Sequence, residues 1–134
     1  MEYLLDTNIC IYIIKKKPAI VLEKFKTFSL GSIGISAITL AELQYGIRKS
    51  SKPDKNLIAL NQFIIPLEVI DFDYNATIEY GLIRAELEKL GTPIGPLDTL
   101  IGAHAKSLGL TIVTNNEKEF ERIAGLKIEN WTKE

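Results

Sequence analysis

Short apolar runs alternate with longer apolar stripes along this chain. Residues 3–6, 33–36, 67–70 and 111–114 are short runs dominated by apolar side chains and bounded by polar or turn residues, the pattern of buried strands. Between them apolar residues recur at three and four positions, the spacing of a helix face. Ile9, Tyr12 and Ile13 predict a helix over 8–15. Val21, Leu22 and Phe25 predict one opened by Pro18 and running through 26. Leu40, Leu43 and Ile47 predict one over 39–50, and Leu57, Leu60 and Ile64 one over 56–65. Ala76, Tyr80, Ile83, Leu87 and Leu90 give the longest stripe, over 73–90, with Asp73 placed to cap it and Gly91 to end it. A helix over 97–108 stops at Gly109, and a short one over 117–123 follows. Residues 126–128 read as an edge strand with Trp131 packed near it. Short strands alternating with helices predict βαβ units and an α/β fold around a parallel sheet.

The chain has 134 residues, so one domain spanning 1–134 is expected. That length buries roughly two thirds of the unfolded surface. No apolar run approaches the ~20 residues that cross a bilayer, and no signal peptide is recognisable, so a cytoplasmic protein is expected. Cys10 is the single cysteine and His104 the single histidine, which leaves neither a disulfide nor a zinc cage. The formal net charge is −1, so nucleic acid would be held by local patches rather than by overall charge.

Those two counts turn attention to the acids. Asp6 ends the first strand. Glu42 falls near the start of the helix after the second. Asp98 opens the helix after the TPIGP loop, and Asn116 and Glu119 follow the fourth strand. Each has a local reading as a helix cap, and TLAE (39–42) and NEKE (116–119) both have the form of a capping box. Parallel strands, however, place their C-terminal ends on one edge, and a right-handed connection brings Asp98 there too. Capping does not account for several acids on one edge without basic partners, whereas a bound cation does. Carboxylates without Cys or several His suit Mg²⁺, with Mn²⁺ as a possible substitute. Such ions activate water and stabilise the leaving oxygen of a phosphodiester. RNA cleavage by a pair of histidines is excluded, and His104, within an apolar helix, reads as a core residue. There is no GxxxxGK[ST], no GxGxxG after the first strand and no GxSxG. Lys15 to Lys17 and Arg48 to Lys52 end helices that begin near the acidic edge, where they could flank the site and hold RNA phosphates.

With these residues in view the chain resembles the PIN-domain ribonucleases, in particular the VapC toxins of bacterial toxin–antitoxin pairs. The resemblance rests on LLDTN (4–8), SAITLAEL (36–43), IGPLDTLIGAHA (94–105) and IVTNNEKEFERI (112–123), in that order and spacing over nearly the whole length. It implies a PIN-like three-layer sandwich, a mostly parallel sheet of four or five strands flanked by helices. It implies a Mg²⁺-dependent endoribonuclease toxin acting on structured RNA, tRNA cut in the anticodon stem-loop among the members it is most similar to. It implies a homodimer, and a cognate VapB antitoxin that inserts a C-terminal segment into the active-site groove, in a higher hetero-oligomer. By position Asp6, Glu42 and Asp98 match the family's metal-binding acids, Asp6 and Asp98 as direct ligands and Glu42 as a ligand or the group that orients water. Thr7, Asn8 and Thr114 would support them. Asn116 stands where many PIN domains carry Asp, and Glu119, a turn further on, is placed to supply the missing charge.

Two other classes fit parts of the pattern. A phosphatase of haloacid-dehalogenase type also places an Asp after its first strand, but needs a second Asp at the position of Asn8. A PIN-like domain that only binds RNA or a protein would not need the three acids.

Overall fold

Parallel strands cannot be joined by tight turns, and this chain supplies a helical crossover for each return. The computed structural model describes residues 1–29 and 31–133. In chain order the elements are β1 (Tyr3–Leu5), α1 (Thr7–Lys15), α2 (Ala19–Lys26), β2 (Ile33–Ser36), α3 (Ala37–Arg48), α4 (Pro53–Ile64) and β3 (Glu68–Ile70). Then come α5 (Tyr74–Lys89), α6 (Pro96–Leu108), β4 (Thr111–Val113), α7 (Glu117–Phe120) and β5 (Ile128–Glu129). The five strands form one sheet in the order β3-β2-β1-β4-β5, and every pairing is parallel. Tyr3 lies opposite Ile33 on one side and Thr111 on the other.

Successive residues of a strand face opposite sides of the sheet. Leu5 packs with Ile9, Ile13, Ile35, Leu43 and Leu60 on the α1–α4 side, whereas Leu4 packs with Ile83, Leu87, Ile101, Ile112 and Phe120 on the α5–α7 side. Both leucines are fully buried. The result is three layers, with the acidic C-terminal edge of β1 between two cores. Truncating either leucine to alanine removes packing of the kind that costs about 2–5 kcal/mol.

Local signals set where the helices begin. Asp6, Ser36 and Asp73 each accept a backbone N–H in the first turn of α1, α3 and α5. Pro53 and Pro96, with φ preset for a helix, open α4 and α6. Two expectations are corrected here. The helix expected over 39–50 starts at Ala37 because Ser36, not Thr39, is its cap. The helix expected over 56–65 starts at Pro53, in a stretch read as a polar break. Two smaller shifts follow at the end of the chain, where α7 stops at Phe120 and β5 lies at 128–129. Leu90, expected on the buried stripe of α5, is 63% exposed because the helix ends there.

One glycine sets how closely α6 approaches the segment after β4. A Cβ at Gly102 would lie 2.6 Å from Ile123 Cδ1 and 3.3 Å from the Phe120 ring. Both neighbours are buried, so room for added carbons must come from shifting them. Gly102→Val is expected to cost about 1–3 kcal/mol, the range for overpacking a filled core. Urea unfolding checks it: a lower midpoint at unchanged slope is expected, and an unchanged midpoint would show that this contact yields freely.

Candidate active site

The strand order reverses at β1. The chain steps outward through β2 and β3 on one side and through β4 and β5 on the other. In parallel α/β sheets the crevice at such a switch point, outside the strand C-termini, is where ligands bind. β1 delivers Asp6 to that edge and β4 delivers Thr114. Asp6 is 4% exposed. Its Oδ1 accepts from the Ile9 amide at 3.0 Å, and its Oδ2 accepts from Thr114 Oγ1 at 2.5 Å. Thr114 Oγ1 in turn accepts from the Asn116 amide at 2.8 Å. Burial pushes the Asp6 carboxyl above the ordinary range, Thr114 and Ile9 pull it back, and the Glu42 charge pushes it up again.

α3 supplies Glu42 from its second turn, and Thr7 Oγ1 donates to Glu42 Oε1 at 2.6 Å. The capping box read at 39–42 is therefore not formed. Thr39 is fully buried inside the helix with its hydroxyl unpartnered among the described residues. α6 supplies Asp98 from its first turn, half-buried. α7 adds Glu119, and the Asn116 side chain sits between the two. Its Nδ2 donates to Glu119 Oε2 at 2.5 Å and lies 3.5 Å from Asp98 Oδ2. The capping box read at 116–119 is likewise replaced, because the Asn116 amide donates to Glu119 rather than capping the helix. Asp98 is pushed up to about 7, first by burial, then by a hydrogen bond to and the charge of Glu119, then by the charges of Asp6 and Glu42. Asp6, Thr7, Glu42, Asp98, Thr114, Asn116 and Glu119 thus gather at one edge. Asn8 does not join them: it is exposed, with no side-chain hydrogen bond among the described residues.

Among the described residues no cation pairs with this charge. The ion pairs among the described residues are Arg84–Glu88 and Lys133–Glu117, both away from the acids. Nor, among the described residues, are any three Asp, Glu, His or Cys side chains placed to hold a metal ion as they stand. Asp6 and Glu42 are held by threonines, and Asp98, raised by burial and by Glu119, holds its proton more tightly than an ordinary carboxyl. The donors themselves are hard oxygens, which fit a divalent cation of the Mg²⁺ or Mn²⁺ class. A cation drawing in Asp98 would displace that proton and relieve the repulsion.

The partner of His104 and one groove lay outside the sequence reading. His104, expected in the core, is fully buried, with Nδ1 2.8 Å from Ser36 Oγ and its ring edge-on to Phe72. It ties α6 to the cap of α3, a pairing 68 residues apart that no local pattern signals. Burial lowers its pKa. The second is a groove of about 260 Å³ beside Glu42, between α1, α3 and α4, lined by Ile11, Ile14, Leu43, Gly46, Ile47 and Leu60.

Known proteins resemble this chain in sequence and in fold. The family model for the PIN domain matches residues 3–126. The chain is 48% identical to the tRNA(fMet)-specific endonuclease VapC of Shigella flexneri over 132 residues, covering 98% of this chain and 99% of that protein. It is 50% identical to the protein of the same name from Salmonella typhimurium, covering 98% of each. Among solved structures, VapBC2 of Rickettsia felis bound to a DNA fragment from its promoter superposes with a TM-score of 0.92 at 47% identity, covering 98% of this chain and 99% of that one. DNA-bound VapBC of Salmonella typhimurium gives the same TM-score, 0.92, at 50% identity and 98% coverage of both chains.

The buried acids make stability depend on pH. Asp98 holds its proton more tightly when folded, so the folded chain binds more protons than the unfolded one up to about pH 7. Stability contributed by that proton is present at low pH and lost as pH rises through 7. Asp6 shifts in the same direction. His104 pulls the other way, but only below its ordinary value of about 6.5. Metal-free protein is therefore expected to unfold at a lower urea concentration at pH 8.5 than at pH 6.5, with Asp98→Asn flattening the difference. Equal midpoints for the parent at the two pH values would contradict the charge balance described.

Proposed function

The chain belongs to the PIN-domain family, and from that premise we propose that it is a VapC-type endoribonuclease toxin whose substrate is initiator tRNA, cut in the anticodon stem-loop. Its cleavage stops translation and growth, and a cognate VapB-type antitoxin restrains it. Residues 1–134 act as one PIN domain, in the cytoplasm, where tRNA is found. No described helix is long and apolar enough to cross a membrane. The observation that supports the reading most is the gathering of Asp6, Glu42, Asp98 and Glu119 at one sheet edge with no basic partner among the described residues. The names of the Shigella and Salmonella relatives supply the substrate.

PIN-domain ribonucleases depend on divalent metal, and we assign Mg²⁺ here, with Mn²⁺ able to replace it. When bound, the ion supplies Lewis-acid chemistry for phosphodiester hydrolysis and neutralises the acids. Asp6 and Asp98 would hold it. Thr114 and the Ile9 amide each donate to one oxygen of the Asp6 carboxylate and so fix its orientation. Asp98 would give up its proton on becoming a ligand. Glu42, held by Thr7, orients the attacking water and accepts its proton. Asn116 is neutral and serves neither as base nor as anionic ligand. Its amide instead keeps Glu119 turned toward Asp98, one charge in reserve. The exposed Asn8 cannot act as the general acid that a phosphatase of haloacid-dehalogenase type would need there.

The apolar groove beside Glu42 suits the C-terminal segment of the antitoxin, which would lie against the acids and block them. The homodimer contact fits α5, where Tyr74, Ile78 and Leu82 recur every four residues and stand exposed. Antitoxin and dimer then occupy different faces, and a higher hetero-oligomer can form.

Purified protein is expected to cleave initiator tRNA with Mg²⁺ or Mn²⁺ and to stop in EDTA. Asp6→Ala and Asp98→Ala should lose at least ~100-fold in rate while staying folded, and Thr114→Val about 10- to 100-fold, the cost of removing a supporting hydrogen bond. Equal cleavage by the parent and Asp6→Ala would assign the activity to a contaminant. A Cβ at Gly46 meets nothing within 4 Å, so Gly46→Phe should fold and cleave. It should nonetheless weaken capture by the antitoxin, read by calorimetry, and undiminished capture would move the antitoxin off this groove.

A further inference from the structure

The outer face of α3 carries side chains that neither the acids nor the groove uses. Tyr45 lies three residues after Glu42, so the two are neighbours on the helix surface. It is 66% exposed, and among the described residues the only other aromatic so open is Tyr74 on α5. Lys49, four residues after Tyr45, sets its ammonium 5.0 Å from the ring centroid. The ring is held by a cation yet keeps most of its surface in water. Arg48, Lys49, Lys52 and Lys55 follow within one helix end and the start of the next. All four are exposed, and none takes part in an ion pair among the described residues. Asp54 is the one acid among residues 48–55. A chain of net charge −1 therefore concentrates unpaired positive charge beside its acidic site. From Glu42 to Lys49 is about 10 Å along the helix axis, at 1.5 Å per residue.

We propose that this face holds the single-stranded RNA adjoining the cleaved bond, with Tyr45 stacked on a nucleobase and the four cations on the flanking phosphates. The proposal rests on RNA being the substrate. Single-stranded RNA is bound by this combination, an aromatic platform for a base and cations for the backbone. The other basic run, Lys15 to Lys17, lacks the platform: Tyr12 is half-buried and accepts a hydrogen bond from Asn115 Nδ2 at 3.2 Å. The cations also argue against a protein partner, since lysine is depleted at protein interface cores. Tyr45 orients the substrate and does not touch the reacting atoms.

The test uses the full chain carrying Asp98→Asn, which leaves RNA intact, and fluorescent initiator tRNA in Mg²⁺ at several salt concentrations. Tyr45→Ala is expected to weaken binding about 5- to 100-fold, the loss of one base–aromatic stack, with the salt slope unchanged. Tyr45→Phe should bind as the parent does. Lys49→Ala should reduce the salt slope by about 1. Thermal midpoints of all variants should match the parent, since both side chains are exposed. Tight binding by the parent that Tyr45→Ala leaves unchanged would overturn the stack alone. Unchanged RNA binding with loss of self-association by Tyr45→Ala would make this a protein interface and overturn the proposal. Absence of RNA binding by the parent would overturn the ribonuclease reading, and the stack with it.

Discussion

Like charges held on one edge of a sheet repel, and that repulsion governs the acidic corner of this molecule. Two carboxylates about 4 Å apart at an effective dielectric of 20 repel by about 4 kcal/mol. A hydrogen bond to a charged group returns about 1.5–3 kcal/mol, less than that repulsion. Thr114, Thr7 and Asn116 can therefore orient Asp6, Glu42 and Glu119 without offsetting their charge. Something else must, and in the metal-free chain it is the proton on Asp98, held up to about pH 7. A divalent cation does the same more completely. Acids gathered in this way suit a bound divalent cation better than four independent helix caps.

Topology explains why the charge collects there. β1 lies at the centre of the sheet, and the chain leaves it in opposite directions, so the crevice above it is bounded by loops from both halves. Asp6 comes from β1, Glu42 from the crossover after β2, Asp98 from the helix leading into β4, and Glu119 from the turn after it. The contributors span positions 6 to 119, yet each lies within a few residues of a strand end or helix start. The buried Ser36–His104 hydrogen bond ties the α3 side of this crevice to the α6 side.

The periodicity of the chain was enough to place every strand within a few residues, because the central runs β1, β2 and β4 are largely buried and Asp6, Ser36 and Asp73 cap α1, α3 and α5. β3, read as a buried run, is exposed or half-buried at the edge of the sheet. Periodicity misplaced helix starts where two caps competed. Ser36 and Thr39 are both good caps, and only the pairing of β2 decides that Ser36 is the last strand residue and hence the cap. That choice moves Glu42 from a first-turn capping role to the second turn, free to meet Thr7. Asp6 shows that the two readings of an acid are compatible: one oxygen caps α1 and the other takes the Thr114 hydroxyl. The groove beside Glu42 and the Ser36–His104 bond were not legible, since both arise from contacts between elements distant in sequence. Asn116 was legible as a departure, but its use as a donor to Glu119 was not, because an amide's direction depends on what surrounds it.

A divalent cation held by these acids would replace the proton of Asp98, so its binding would be coupled to proton release. Calorimetric titration of Mn²⁺ into the protein at pH 7, in two buffers of different ionisation enthalpy, measures it directly. Binding should release a fraction of a proton per ion, and Asp98→Asn should abolish the release and weaken binding. Equal binding by both proteins with no proton released would contradict the account.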